Sequence, residues 1–144
     1  MPTPIINVKF KNLNLNQQKM DLEGKKILVI QTHGVDTPTR TYSPIYYAMA
    51  AAAMEMEVIV WFTMNGTNQL RKGVAEMIKL DPSSNVSLKT MLEQALDSEV
   101  KLGVCQQSLN LWNMTPDDLI DGVEIMGATS IIDLALGSDH VMYF

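Results

Sequence analysis

Apolar residues are laid along the chain in two patterns that take turns. Ile27, Leu28, Val29 and Ile30 form an unbroken run between the charged pair Lys25 and Lys26 and the breaker Gly34. Such a run predicts a strand covered on both faces. The same kind of run recurs in "EVIVWFTMNG", stopped by Asn65 and Gly66, in "VKLGVC", and in the final "HVMYF". Between these runs the spacing changes to that of a helix. Ser43 and Pro44 mark a start, since a hydroxyl can accept a free N–H and proline at the first turn loses no hydrogen bond. Ile45, Ala48, Met49, Ala52 and Met56 then repeat at helical intervals. The segment "NQLRKGVAEMIKL" predicts a second helix weakened by Gly73. Ser87 opens a third with the stripe Leu88, Met91, Leu92, Ala95 and Leu96. Thr115, Pro116, Asp117 and Asp118 combine a cap, a first-turn proline and two acids at the positive end of a helix dipole, and so predict a helix there. A last helix is expected at about residues 129–136.

Strands that alternate with helices imply a mostly parallel sheet with helices on both faces. The expected fold class is therefore α/β, a flavodoxin-like or Rossmann-like three-layer sandwich. Residues 1–24, rich in Asn, Gln and Lys with Pro2 and Pro4, are expected to form an irregular arm with at most a short strand at "IINVKF". Residues 25–144 are expected to form one domain, and 47 % apolar residues are enough for its core.

Charge and composition then narrow the partners. A net charge of −5, with scattered basic residues and no basic stripe interleaved with aromatics, argues against nucleic acid. No apolar run approaches the roughly 20 residues of a membrane helix, and the first residues lack a secretory signal. A cytoplasmic protein without membrane contact is expected. The single cysteine, Cys105, cannot form an internal disulfide, and no Cys/His cluster is spaced to hold a metal.

Open parallel sheets bind ligands beyond the carboxyl ends of their strands. Here those ends are "THGVDTPTR", "TMNGTNQ" and "CQQSLNLWNM". Cys105 closes the third strand and should emerge at that edge, near the other two loops if their strands are neighbours. Its thiolate would gain from a cation or helix N–H groups, the candidates being His33, Arg40, Lys72 and the amides around Gln106 and Ser108. The competing reading is a small buried hydrophobe at a strand end. His33 reads either as a base or anion ligand or as a turn residue with a local hydrogen bond. "NGTN" suits close approach of backbone to ligand and equally a plain turn. Neither GxGxxG nor GxxxxGK[ST] is present, so dinucleotide and phosphate-loop readings have no motif. Asp36, Asp117, Asp118 and Asp121 are weak candidates for a carboxylate pair. Met49, Met54, Met56 and Met64 fit core positions, Trp61 fits the sheet, and Trp112 could line a site or an interface.

The segments "AAAAMEMEVIVWFTMNGTNQLRKG", "KLGVCQQSLNLWNMTPDDLIDGVEIMGATSII" and "VMYF" resemble the DsrE/DsrF-like family, which includes the TusD-like sulfur-relay proteins. The likeness runs from Lys25 to Phe144 and is closest to the peroxiredoxin-like subgroup. It implies a flavodoxin-like sandwich assembled as trimers or hexamers, with the strand-end cysteine carrying sulfane sulfur as a persulfide or thiosulfonate. By match to the family's cysteine, Cys105 is that carrier. No bound cofactor is implied, and the implied partners are sulfur donors and acceptors such as TusA-like carriers. Asn113 stands where a glycine is common in the subgroup, no second cysteine accompanies Cys105, and the stretch from Gly73 to Ser87 is short. A protein with one thiol cannot resolve its own disulfide, but one thiol suffices for a carrier.

The leading expectation is thus nucleophilic transfer of sulfur through Cys105, with His33, Asn65, Gly66, Gln106 and Ser108 as candidates to surround the transferred group. The alternative is a non-catalytic oligomeric binding or scaffold protein with Cys105 buried. A third reading, a small-molecule enzyme working in the strand-end crevice, would require a bound nucleotide or flavin.

Overall fold

A computed structural model describes residues 21–144. The expected arm, including "IINVKF", lies almost wholly outside these residues. Five strands form one sheet: β1 (Lys26–Gln31), β2 (Glu57–Phe62), β3 (Lys101–Cys105), β4 (Val123–Met126) and β5 (His140–Tyr143). Their order is β4-β3-β2-β1-β5 and every pair is parallel. The chain therefore walks outward from β1 to β4 and then returns to the other side of β1. The α/β sandwich expected from the alternating patterns is the fold observed.

Among the described residues four complete α-helices flank the sheet: α1 (Ser43–Ala53), α2 (Leu88–Asp97), α3 (Gln106–Leu111) and α4 (Ala128–Gly137). On one face Ile45, Ala48 and Ala51 of α1 and Leu88, Met91, Leu92 and Ala95 of α2 pack on Ile27, Val29, Val58, Val60, Phe62, Leu102 and Val104. On the other face, among the described residues, α4 supplies the cover, with Ile131 against Leu28, Ile30 and Met126. Strand β2 records the difference, because its first-face residues are buried while Ile59 and Trp61 are only half-buried. In α4 itself Ile132 is 62 % and Leu136 83 % exposed, so the helix is apolar on its outer side as well.

Two expected helices are not α-helices. The segment "NQLRKGVAEMIKL" is instead a 3-10 stretch at Met64–Leu70 and a single turn at Ala75–Met77. Its first two polar side chains, Asn68 and Gln69, are buried and hold loops. Gln69 Nε2 donates to His33 O at 2.8 Å and Gly66 O at 2.9 Å, and Asn68 Oδ1 accepts the Val35 N–H at 3.0 Å. Gly73 then turns with φ +85°. The capping pattern at Thr115 is real, with the Thr115 N–H 2.7 Å from Asp118 Oδ2, but it closes one 3-10 turn at Pro116–Asp118. Leu119 is drawn into an extended bridge with Arg71, and the Ile120 N–H reaches Leu70 O at 3.0 Å. Those pairings end the helix after one turn. Ser43 lies inside α1, whose cap position is Tyr42, and its hydroxyl caps nothing; Ser87 holds the cap position of α2 without a side-chain bond.

Candidate functional site

Cys105 is the last residue of β3 and at the same time the cap residue of α3, which begins at Gln106. No loop separates strand from helix. The side chain therefore leaves the carboxyl edge of the sheet just where the first N–H groups of a helix are without intrahelical acceptors. It is half-buried rather than sealed in the core. Burial by itself pushes the thiol pKa up. Hydrogen bonds from the Ser108 hydroxyl and N–H, the Thr63 hydroxyl and the Gln107 N–H outweigh it and hold the thiol below its ordinary range.

The donors are themselves held in place. Ser108 Oγ accepts the Met64 N–H at 3.0 Å and lies 3.3 Å from Thr63 Oγ1. One lone pair of the serine is thus filled from the β2 side, which leaves the hydroxyl hydrogen for the sulfur. Met64 takes a left-handed backbone at φ +52°, a conformation that costs a side-chain-bearing residue about 1 kcal/mol. Its carbonyl is fixed by Trp112 Nε1 at 2.8 Å, and Arg71 donates to Trp112 O at 2.9 Å. Arg71 in turn sits 3.9 Å from Asp118. Asn113, just past α3, has φ +50°. Asparagine is the side chain that best follows glycine in that region, so the departure from the subgroup's glycine keeps the backbone turn.

The candidates drawn from the sequence separate into two groups. Ser108 lies at the sulfur, and Gln106 follows Cys105 and turns toward the start of α4, where its Oε1 lies 3.8 Å from the position a Cβ on Gly127 would take. His33, Asn65 and Gly66 are not among the groups that bond Cys105, nor are Arg40 and Lys72. Asn65 donates to Asp36 at 3.0 Å on the surface, and a Cβ on Gly66 would stand 2.2 Å from Gln31 O, so glycine is required there for β2 loop and β1 to meet. His33 sits beyond β1, with Arg40 and Phe144. Lys72 donates to Asp117 O at 2.9 Å. The residue missed from sequence is Thr63. Its signal was available, because it directly follows β2, and β2 turned out to be the neighbour of β3.

A large open groove of about 1080 Å³ lies at the opposite, amino end of the strands, lined by Lys26, Glu57, Lys101 and Glu124 among others, and holds none of these groups. Among the described residues no cluster of three or more His, Cys, Asp or Glu could hold a metal, and no helix is long and apolar enough to cross a membrane.

The fold and the site define the class: a parallel α/β sheet that presents the chain's one cysteine, half-buried, at the carboxyl end of a strand. Comparison with known proteins makes the class specific. The sequence profile of the DsrE/DsrF-like family matches residues 25–144, and the chain belongs to that family. It is 27 % identical over 160 aligned positions to the sulfur carrier protein DsrE2 of Allochromatium vinosum, covering 85 % of this chain and 99 % of that one. Among solved structures it resembles the ychN protein from E. coli, with a TM-score of 0.66 and 18 % identity, over 84 % of this chain and 99 % of the other. A protein of unknown function from Methanobacterium thermoautotrophicum gives a TM-score of 0.59 at 18 % identity, over 83 % and 99 % of the two chains. These likenesses in structure agree on the fold.

Proposed function

We propose that the protein is a sulfur carrier whose covalent residue is Cys105. The observation that carries the reading is the convergence of Ser108, Thr63 and Gln107 donors on a half-buried, helix-capping sulfur. Donors aimed at a sulfur favour its anion, and the thiolate is the nucleophile in sulfur exchange. The name of the Allochromatium relative supports the same reading.

With a persulfide donor R–S–SH, the Cys105 thiolate attacks the outer sulfur. The donor S–S bond breaks, R–S⁻ leaves, and Cys105–S–SH is formed. An acceptor thiolate then attacks that outer sulfur and releases the Cys105 thiolate. With tetrathionate the same attack gives Cys105–S–S–SO3⁻ and releases thiosulfate. Neither route changes the overall oxidation level, and the donors that stabilise the starting thiolate also stabilise it as the leaving group. In this reading Gln106, the exposed residue that follows Cys105, would lie beside the carried group.

The partners of such a carrier are donor and acceptor thiol proteins of the TusA-like kind, met in the cytoplasm. Assembly with copies of itself would cover the outer side of α4, where Ile132 and Leu136 stand beside a strand β5 that exposes Tyr143. Light scattering at several concentrations measures that assembly; a monomer throughout would remove it from the proposal.

Intact mass after incubation with tetrathionate or a persulfide donor tests the carrier. The native protein should gain the mass of the transferred group, and Cys105→Ser should gain none. Equal uptake by both, or uptake by neither, would sink the reading.

A further inference from the structure

The carboxyl end of β1 holds a second built site that the thiol chemistry does not use. Fully buried Gln31 ties its walls together: its Oε1 accepts the His33 N–H at 3.1 Å, and its Nε2 donates to Arg40 O at 3.0 Å. One amide thus clamps the two ends of the loop that follows β1. Between them lies a crevice of about 220 Å³ lined by His33, Thr39, Arg40, Ser43, Tyr47 and Phe144. We propose that this crevice binds a small molecule carrying an oxyanion group on a flat apolar body.

On the polar side of the crevice His33 orients Arg40, and Arg40 supplies the free donors. Thr32 Oγ1 gives its hydrogen to Phe144 O at 2.6 Å, so at 3.2 Å from His33 Nδ1 it accepts from the ring. That fixes the hydrogen on Nδ1 and turns Nε2 toward Arg40, 3.4 Å away. The contact uses one N–H of the guanidinium and leaves the rest of the fork, the geometry that matches carboxylate, sulfonate or phosphate. No Asp or Glu lines the crevice, and none of the ion pairs among the described residues uses Arg40. Ser43 and Thr39 add hydroxyls.

The other side is apolar. Tyr47 and Phe144 stack with ring centroids 5.7 Å apart and planes 26° from parallel, which gives a flat wall rather than a cage. The volume is below the roughly 300 Å³ at which drug-sized pockets begin, so a single-ring ligand is the right size. The position agrees as well. The order of the sheet reverses at β1, with β2 on one side and β5 on the other, and such reversals are where open parallel sheets hold ligands.

Benzenesulfonate, methanesulfonate and benzyl alcohol, titrated separately into the 15N-labelled full chain, test the assignment by NMR. Benzenesulfonate should give saturable shifts centred on His33, Arg40 and Tyr47 and bind at least tenfold more tightly than either of the others. Arg40→Gln should weaken it at least tenfold, while Cys105→Ser should bind as the native protein does. No saturable shift, equal binding of benzyl alcohol, equal binding of methanesulfonate, or an unaffected Arg40→Gln protein would overturn the proposal. Shifts centred on Cys105 that vanish in Cys105→Ser would overturn it too, and all these results are independent of whether Cys105 carries sulfur.

Discussion

The carboxyl ends of β1 and β3 lie two places apart in the same sheet and are built in opposite ways. After β3 the next helix begins at once, so Cys105, the Gln107 and Ser108 amides and the Ser108 hydroxyl share one turn, and donors crowd onto one atom. After β1 the chain runs through eleven residues before α1, and His33 and Arg40 spread around an open crevice instead. The comparison teaches that the length of the strand-to-helix connection sets the kind of site. A short one concentrates helix N–H groups on a reacting atom, and a long one folds back to make walls.

The largest effect should come from breaking the contact between the β1 loop and the β2 loop, which lies between the two ends. A Cβ on Gly34 would lie 2.1 Å from Asn65 O and Asn68 Oδ1, the contact through which the β1 loop rests on the β2 loop. Gly34→Ala is expected to cost about 3 kcal/mol, read by urea unfolding. A variant as stable as the native protein would show that the two loops are not packed as described.

Ser108→Ala strikes the β3 end alone. It removes the sulfur's hydroxyl donor and leaves the Met64 N–H without its acceptor, at a cost of about 2 kcal/mol. With the donor gone the thiol pKa should rise toward the ordinary cysteine range. The midpoint of iodoacetamide alkylation against pH should therefore move up, and the rate at neutral pH should fall. His33→Ala should leave that midpoint where it is. Movement of the midpoint in His33→Ala would mean that the two strand ends are coupled.

The smallest effect is expected at Asp118, whose carboxyl is held below the usual range by the N–H and hydroxyl of Thr115, with Arg71 and Lys72 adding attraction. A depressed carboxyl contributes stability that is present above its unfolded value of 3.8 and lost as pH falls through the folded one. Asp118→Asn should be slightly less stable at neutral pH and should show a shallower acid loss. Parallel acid profiles for the two proteins would remove Asp118 from the support of Arg71 and Trp112.

Most of the fold can be read from local pattern, and the exceptions have local causes. The strands β1, β2, β3 and β5 are apolar enough to stand out, and α1, α2 and α4 have apolar positions at helical spacing. Strand β4 is four residues long at a sheet edge, with Glu124 and Ile125 exposed, so it carries little signal. Helix α3 has six residues and no Ser, Thr, Asp or Asn before it, because its cap is the cysteine itself. The stretches 68–80 and 115–121 look helical and are not, since Asn68, Gln69 and Arg71 spend their polar groups on distant loops. The same reason limits the site. Cys105 and Ser108 are legible because they are near each other in the chain, whereas Thr63 arrives from another strand and His33 is carried away from the thiol by the order of the sheet.

That order also imposes a schedule on the chain as it is made. Strand β1 is synthesised among the first of the described residues, yet its second neighbour, β5, ends at Tyr143, and the Lys26 N–H waits for an acceptor 113 residues further on at Asp139. Until that segment leaves the ribosome one edge of β1 is an open template, the kind of surface that pairs with the wrong chain. The closing of β5 against β1 is a long-range step, slow by its topology. It is therefore the stage at which a chaperone would matter most and at which a truncated chain would first aggregate.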